Sequence, residues 1–463
     1  MSARRPWPVA LLLGAILALP AEAAAETLYA APDGSRSSCT AIAPCALEKA
    51  VENVAVADDV VVVHQGAYNL GEEQLRVPFA VTVRGRVGRA KPVITSSCCP
   101  NPGVASTAVI VGQEGVIRNL EIRHPGGGAG AGVALSMEPT NGDAATAGGI
   151  VAVGEFVGCA VAPGSVPDHA APLLHDSVCI STTDGGIALN SALFPGADNK
   201  RADIRGVTAL ALGGSGIGMQ VRANGTGAGS LTADVRNSIV SGNPTDVLTV
   251  VPETSSASAT LSHSNYDVVD SSQGGTITAA GSGDNQTDLP LLANPAAFEF
   301  RQLPGSPTID AGSDADAIGP SDAENDLRIA GAAVDIGADE YAPRCLGRGV
   351  TLIAEPGIPT LGTDGVDVIV GTAGADVIRS RGGRDFVCSR GGDDRIAAGG
   401  GRDVIRAGGG DDRADGGGGA LDKIFGQAGA DRLLGGGGSG DLCHGGGGDD
   451  TAANSCERFK SAN

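Results

Sequence analysis

The sequence predicts an all-β protein built from two successive solenoids, in which short parallel strands stack from one coil to the next. Two repeats lead to this prediction, one of about thirty residues in the middle of the chain and one of nine residues near its end. Patterns typical of helices are scarce, which supports the same fold class. With 463 residues, the chain is long enough for two or three domains.

The thirty-residue repeat consists of four similar segments, each with an apolar start, a basic second residue and a short apolar strand. They are IRNLEI from Ile117, LHDSVCI from Leu174, IRGVTAL from Ile204 and VRNSIV from Val235, at spacings of 57, 30 and 31 residues. The third positions hold Asn119, Asp176, Gly206 and Asn237, residue types that tolerate a left-handed backbone at a corner between strands. A β-sandwich is the alternative, but its regular two-residue turns are not found. We therefore expect coils that bury their strands by stacking, with 57 residues as about two periods.

The first 25 residues have the pattern of a secretory signal peptide. Two arginines precede an apolar run from Val9 to Leu19, and Ala23 and Ala25 supply the small residues of a cleavage site. The apolar run is too short to cross a bilayer comfortably. We expect cleavage after Ala25, or after Ala23, and no transmembrane segment later in the chain.

Composition argues against nucleic-acid binding and favours disulfides over thiol chemistry. The formal net charge of −21 repels phosphates. Ten cysteines in an exported chain suggest disulfides, and no C-x-x-C spacing of a zinc knuckle occurs. The plausible pairs are Cys39 with Cys45, Cys159 with Cys179 and Cys443 with Cys456. The sequence leaves the full connectivity open.

The first solenoid resembles the right-handed parallel β-helix proteins of pectate-lyase-like architecture. The opening YAAPDGSRSSCTAIAPCALEKAVENV, followed by ADDVVVVHQGAYNL, is similar to their N-terminal coil and capping helix, with Leu47, Val51 and Val54 on one helix face. The stretches SPTIDAG, DLRIAG and VDIGADEY are similar to the final coils of a bacterial secreted subgroup. The resemblance implies a right-handed parallel β-helix, which we place at residues 26–345.

The resemblance also raises the possibility of catalysis, because pectate-lyase-like enzymes cleave acidic polysaccharides with calcium-holding carboxylates and a basic residue that abstracts a proton. That catalytic set has no match here. The candidates are Asp176, Asp203, Arg205, Asp234 and Arg236, which we interpret instead as corner or solvent-facing residues. Trp7 is the only tryptophan, so the mature chain has no indole to stack on sugar rings. We name no catalytic residue and expect no lyase activity.

The nine-residue repeat has the form G-G-x-G-x-D-x-U-x, in which U is apolar. Its aspartates are Asp367, Asp376, Asp385, Asp394, Asp403, Asp412, Asp422, Asp431, Asp441 and Asp450. Glycine lies two residues before the aspartate at Gly365, Gly374, Gly383, Gly392, Gly401, Gly410, Gly429 and Gly448. The apolar position follows two residues after each aspartate, from Ile369 to Ala452. A disordered glycine-rich tail would need neither the fixed period nor an apolar residue in phase with it.

This unit predicts a roll in which two repeats, or 18 residues, form one coil. The strand x-U-x directs one apolar side chain inward, and the glycine turn reverses the chain. Aspartates 18 residues apart then lie above one another, where their carboxylates repel unless a cation lies between them. Ca²⁺ suits this place, because it takes about six to eight oxygens from carboxylates and carbonyls. Glycine lets those carbonyls turn toward the ion.

The register is similar to the RTX, or haemolysin-type, calcium-binding repeats. The resemblance covers residues 362–453. We expect residues 346–361 to be a linker or the first strands of the roll, and residues 454–463 to be a tail.

The RTX resemblance implies that the ten aspartates and the glycine turns bind several calcium ions. Eight stacked pairs are expected, from Asp367 with Asp385 to Asp431 with Asp450. Ala420 and Ser439 replace the glycine two residues before Asp422 and Asp441, so that weaker binding is expected there. Without calcium, we expect this part of the chain to be disordered.

The leading functional prediction is a secreted calcium-binding protein, extracellular or attached to the cell surface, with a structural or interaction role. A polysaccharide lyase or hydrolase on the β-helix is one alternative, and a surface adhesin is another. The expected partner is calcium, with an extracellular polysaccharide or a cell-surface partner as candidates. Nucleic acid is not expected as a partner.

Overall fold

A computed structural model describes most of the chain and shows two stacks of parallel strands. The described residues are 25–35, 38–86, 89–97, 106–126, 132–138, 144–162, 171–193, 200–223, 229–251, 255–279, 284–319, 321–324, 328–329, 333–341, 344–354, 357–372, 374–453 and 455–460. The predicted signal peptide lies outside them, apart from Ala25. The prediction of a right-handed parallel β-helix followed by a parallel β-roll is confirmed at the level of fold class.

The β-helix has three faces, each a ladder of parallel strands. Face 1 contains Thr27–Ala30, Val60–Val63, Thr82–Gly85, Val116–Arg118, Thr146–Gly148, the first halves of Leu173–Ser181 and Lys200–Ala211, Ser230–Arg236, Ser256–Ser262 and Thr276–Ala279. Face 2 contains Ala67–Asn69, Val93–Thr95, Glu121–His124, Val151–Gly154, the second halves of the same two long strands, and Ile239–Ser241. Face 3 contains Leu75–Val77, Ser106–Val111, Gly132–Met137, Val157–Val161, Ile187–Leu193, Ile217–Ala223, Thr245–Val250 and Val269–Gln273.

The four segments of the thirty-residue repeat lie in one column on face 1. Ile117 is paired with Ala147, and Ala147 is paired with Leu174. Leu174 is paired in turn with Ile204, and Ile204 with Val235. The spacing of 57 residues therefore spans two coils, as predicted, and Ala147 belongs to the coil between them.

In coil after coil, a residue with a left-handed backbone conformation forms the corner between face 1 and face 2, which also agrees with the prediction. These residues are Asn119 (φ 55°), Gly149 (63°), Asp176 (44°), Gly206 (59°), Asn237 (48°) and His263 (44°). Asn237 stabilises its corner through two contacts with Ser313, donating from Nδ2 to the carbonyl oxygen and accepting the amide N–H at Oδ1. A sharp bend at a fixed place lets all coils share one cross-section, so that their strands stay in register.

A short helix packs at the N-terminal end of the β-helix. It is a π-helix, Lys49–Val54, and its last hydrogen bond runs from the Ala55 amide to the Ala50 carbonyl. Leu47 and Val51 are buried as the sequence predicted, and they join the same core as the first strands of faces 1 and 3. The helix therefore covers apolar side chains that no further coil would cover.

The described residues between 288 and 341 do not form the final coils that the sequence predicted. They contain an antiparallel pair, Leu292–Asn294 with Glu299–Gln302, and two 3₁₀ turns, Pro295–Ala297 and Asp314–Asp316. Their apolar side chains pack on the outer side of face 2, where Phe300, Ile336 and Ala338 join Val153, Val178, Ile180, Leu210 and Ile239. The outward residues of face 2 are apolar, so this covering segment removes them from water.

A buried ion network anchors the covering segment. Arg328 is 2% exposed and lies between the carboxylates of Asp176, at 2.8 Å, and Glu340, at 3.0 Å. Gly206 makes room for it, because a Cβ there would lie 2.5 Å from an Arg328 terminal nitrogen. The interpretation of Asp176 as a corner residue is correct, but it does not face solvent.

Four disulfides join described residues, including the three predicted pairs. They are Cys39–Cys45, Cys159–Cys179, Cys345–Cys388 and Cys443–Cys456. The pair Cys345–Cys388 was not predicted, since its partners lie 43 residues apart. It attaches the start of the roll to the strand Phe386–Cys388.

The roll consists of two facing parallel sheets. Sheet 1 contains Leu352–Ile353, Val368–Val370, Phe386–Cys388, Val404–Gly409, Lys423–Ala428, Leu442–Gly447 and Arg458–Lys460. Sheet 2 contains Thr360–Leu361, Val377–Arg379, Arg395–Ala397, Arg413–Asp415, Arg432–Leu434 and Thr451–Ala452. The U residues fill the space between the sheets. Residues 346–361, expected to be a linker or the first strands of the roll, contain strands of the roll, and a strand also occurs in residues 454–463, which were expected to be a tail. Among the described residues, no helix is long and apolar enough to cross a membrane.

Candidate calcium-binding site

The aspartates of the repeats form two columns along the roll, one at each edge. In eight cases the amide N–H of an aspartate donates to Oδ1 of the aspartate one coil later, at 2.8–3.1 Å. The pairs are 367/385, 376/394, 385/403, 394/412, 403/422, 412/431, 422/441 and 431/450, which are the eight predicted pairs. All ten aspartates except Asp450 are at most 4% exposed.

The second carboxylate oxygen of most of these aspartates has no hydrogen-bond partner. Buried Oδ2 atoms without a partner belong to Asp385, Asp394, Asp403, Asp412, Asp422, Asp431, Asp441 and Asp450. The first aspartate of each column differs, because its Oδ2 has a hydrogen-bond partner within the protein. Oδ2 of Asp367 accepts the amide N–H of Thr363, and Oδ2 of Asp376 accepts that of Thr372. A buried anionic oxygen without a partner is costly, so a periodic row of them indicates a missing positive ligand.

Backbone carbonyl oxygens lie beside these carboxylates. A Cβ built on Gly371 would be 2.5 Å from Oδ2 of Asp376 and 2.4 Å from the carbonyl oxygen of Ser389, one coil later. A Cβ built on Gly426 would be 2.1 Å from Oδ2 of Asp431 and 2.6 Å from the carbonyl oxygen of Gly445. The six-residue turns therefore bring carboxylate and carbonyl oxygens together around a space that only glycine leaves open.

The electrostatics of the columns disfavour negative charge without a cation. Burial, with a smaller contribution from the charges of neighbouring aspartates in the columns, raises the pKa of Asp394 and of Asp403 to about 6. Burial likewise raises the pKa of Asp412 to about 7, with the charges of Asp394 and Asp431 adding to the effect. The pKa values of the Asp385, Asp422 and Asp431 carboxyls are also raised by burial first.

The turn glycines are required because successive turns stack in direct contact. A Cβ on Gly401 would lie 1.6 Å from the carbonyl oxygen of Gly383, and one on Gly429 would lie 1.9 Å from that of Gly410. Six of the eight predicted turn glycines have a positive φ, between 95° and 145°; they are Gly383, Gly392, Gly401, Gly410, Gly429 and Gly448. Gly365 and Gly374 belong to the first turns and are not among the residues with positive φ.

The one-residue insertions do not remove glycine from the stacked turns. Gly419 stacks on Gly401, and Gly438 stacks on Gly419. A Cβ built on either of the upper glycines would lie 1.6 Å from the carbonyl oxygen of the glycine on which it stacks. Ala420 and Ser439, which the sequence placed in that position, lie one residue later. The extra residue therefore enters between the stacked glycine and the aspartate, and the expectation of weaker sites at Asp422 and Asp441 stays a prediction.

The donor set of the roll fits calcium better than a transition metal. Among the described residues, no group of three His, Cys, Asp or Glu side chains converges on one point. A cation here would instead be held by paired carboxylates and by turn carbonyls, the hard oxygen ligands that Ca²⁺ prefers.

The candidate residues of the β-helix are engaged in ion pairs. Asp203 accepts two hydrogen bonds from Arg205, at 2.9 and 2.6 Å. Asp234 is paired with Arg201, and Arg236 with Asp316 of the covering segment at 2.9 Å. The fifth candidate, Asp176, is paired with Arg328, so all five candidates are held in ion pairs.

Comparison with known proteins agrees with the geometry of the roll. The RTX calcium-binding nonapeptide repeat family matches residues 361–396, 389–420 and 422–452. Among solved structures, the crystal structure of pectate lyase Pel9A is similar to 68% of this chain and 96% of that chain, with 12% sequence identity and a TM-score of 0.35. No curated protein sequence matches the chain. Residues 361–452 are thus RTX calcium-binding repeats.

Proposed function

We propose that this protein is secreted, that its roll folds as it binds several calcium ions, and that the calcium-stiffened molecule has a structural or interaction role. The observation that carries the proposal is the row of eight buried aspartate Oδ2 atoms without a partner. The ten aspartates of the two columns are the proposed side-chain ligands, and the turn carbonyls complete the coordination.

Calcium and folding are coupled in this proposal. Without the ion, buried carboxylates stack on one another within each column, on a glycine-rich backbone that is costly to order. With the ion, the free energy of binding becomes free energy of folding. Extracellular calcium modules have dissociation constants of about 10⁻⁴–10⁻³ M, which suits a chain that folds after export.

The disulfides support an extracellular location. Cys345–Cys388 and Cys443–Cys456 lie near the two ends of the roll, and both would be reduced in an ordinary cytosol. They also shorten the stretch of roll that calcium alone must order.

The β-helix is proposed to present a rigid surface rather than to catalyse a reaction. Its charged candidates on face 1 are held in ion pairs such as Asp203–Arg205 and Asp234–Arg201. Incubation of the calcium-loaded protein with pectin and alginate tests this point, because a lyase would release unsaturated sugars that absorb in the ultraviolet.

The coupling of calcium to folding can be measured on the full chain by limited proteolysis. Arg395, Arg413 and Arg432 are exposed trypsin sites within strands of sheet 2, so they are cleaved only when the roll opens. We expect calcium to protect them and magnesium not to, while cleavage after Arg118 of the β-helix is independent of calcium. Equal protection in chelator, or by magnesium, would contradict the proposal.

A further inference from the structure

The last strand of sheet 1 lies beyond the matched repeats and is preceded by an acidic residue. In each repeat the aspartate comes directly before its strand, as Asp441 comes before Leu442. Arg458 is paired with Leu442 in the parallel register, and Glu457 comes directly before Arg458. Glu457 therefore occupies the place that the next aspartate of the column would take.

The backbone and side-chain contacts of Glu457 repeat those of the aspartates. The amide N–H of Asp441 donates to Oε2 of Glu457 at 2.8 Å, as Asp422 donates to Asp441 at 3.0 Å. Asp441 is fully buried, and its Oδ2 has no hydrogen-bond partner. The last coil thus leaves an anionic oxygen unsatisfied in the same way as the coils before it.

A carbonyl oxygen also lies in the equivalent position of the last coil. A Cβ built on Gly435 would be 2.3 Å from the carbonyl oxygen of Ser455 and 3.0 Å from Cβ of Asp441. In the preceding coil, a Cβ on Gly416 would be 2.6 Å from the carbonyl oxygen of Gly435 and 3.1 Å from Cβ of Asp422. Ser455 therefore supplies the turn carbonyl of the last coil without belonging to a glycine repeat.

A disulfide holds this segment against the roll. Cys456 lies between Ser455 and Glu457 and is bonded to Cys443, the buried U residue of the last repeat on sheet 1. The bond places the carbonyl of Ser455 and the carboxylate of Glu457 over Asp441 although the nonapeptide pattern has ended.

We propose that Asp441, the carbonyl of Ser455 and Glu457 form one further calcium site, outside the matched repeats, which closes this end of the roll. The inference rests on the proposed calcium binding of the columns. The other column has no such closure among the described residues, because its last strand, Thr451–Ala452, is the end of sheet 2. The two columns therefore differ by one acidic residue and by one ion.

The test is the calcium stoichiometry of the full chain with Glu457→Gln, measured by equilibrium dialysis. Glutamine keeps an oxygen to accept the Asp441 amide N–H but removes the charge, and the exposed position of Glu457 lets the variant fold. Asp449→Asn is the matched control, since Asp449 lies in the last turn before Asp450 but outside the columns. We expect Glu457→Gln to bind one ion fewer than the wild type and Asp449→Asn to bind the same number.

A second readout locates the effect. Protection of Arg458 from trypsin should require more calcium in Glu457→Gln than in the wild type. Protection of Arg395 and Arg413 should be the same in both proteins. Equal stoichiometry and equal protection at Arg458 would overturn this site and leave the proposed function standing. A wild-type chain that binds no calcium would overturn the proposed function itself.

Discussion

The substitution Asp403→Ala tests one of the two aspartate columns, the one that runs from Asp367 to Asp441, at a buried position. Asp403 is 1% exposed, its Oδ1 accepts the amide N–H of Asp385 at 2.9 Å, and its Oδ2 has no partner within the protein. The variant therefore removes one hydrogen-bond acceptor and one proposed calcium ligand at once.

The magnitude depends on calcium. Leaving the buried Asp385 amide N–H without an acceptor costs about 1–3 kcal/mol. Losing one ion at a calcium concentration of about one hundred times its dissociation constant costs about 2.7 kcal/mol more. We therefore expect a loss of about 4–6 kcal/mol in the free energy of unfolding of the roll when calcium is saturating.

At a lower calcium concentration at which the roll is still folded, the calcium contribution is smaller, and the variant gains some stability because one charge leaves the column between Asp385 and Asp422. The loss should then approach the hydrogen-bond contribution alone, about 1–3 kcal/mol. The assay is the trypsin sensitivity of Arg395 and Arg413 as a function of denaturant, at saturating calcium and at this lower concentration. The matched control is Asp364→Ala, which removes an exposed turn aspartate outside the columns.

Equal losses for Asp403→Ala at the two calcium concentrations would refute the reasoning, because the aspartate would then be a purely structural acceptor. A loss as large for Asp364→Ala would refute it as well, since net charge rather than the column would be responsible.

Three further predictions concern the turns, the proton and the covering segment. Gly401→Ala should destabilise the roll by at least about 1–3 kcal/mol from backbone strain alone, because the φ of Gly401 is 145° and the new Cβ would lie 1.6 Å from the Gly383 carbonyl oxygen. Gly409→Ala should be nearly neutral in the same thermal unfolding measurement, because a Cβ at Gly409 has no atom within 4 Å. In calcium-free buffer the roll should be most stable in acid and lose stability as the pH rises through about 6 to 7, because the pKa values of Asp394, Asp403 and Asp412 are higher in the folded roll than in the unfolded chain. Protection from trypsin that increases over this pH range would contradict the expected loss of stability. Arg328→Met should destabilise the β-helix by about 3–5 kcal/mol, because the buried carboxylates of Asp176 and Glu340 lose the guanidinium group that they share. Arg201→Met, at the exposed pair with Asp234, should cost about 0–1 kcal/mol in the same thermal unfolding measurement.

The sequence by itself determined both repeats and most of the two aspartate columns. A period of nine with one apolar residue in phase leaves few ways to bury Ile378 and Ile396 together, and the eight aspartate pairs follow from that stacking. The corner residues were predictable for a similar reason, because Asn119 and Asn237 are among the few residue types that accept a left-handed backbone at low cost.

Only the tertiary structure decided the contacts between segments that share no period. The pairing of Arg328 with Asp176, the bond between Cys345 and Cys388, and the position of the covering segment on face 2 depend on how distant parts of the chain meet. Glu457 is the clearest case, because nothing in its local sequence resembles the repeats. Its place above Asp441 results from a disulfide and from strand pairing, and both of these act through space rather than along the chain.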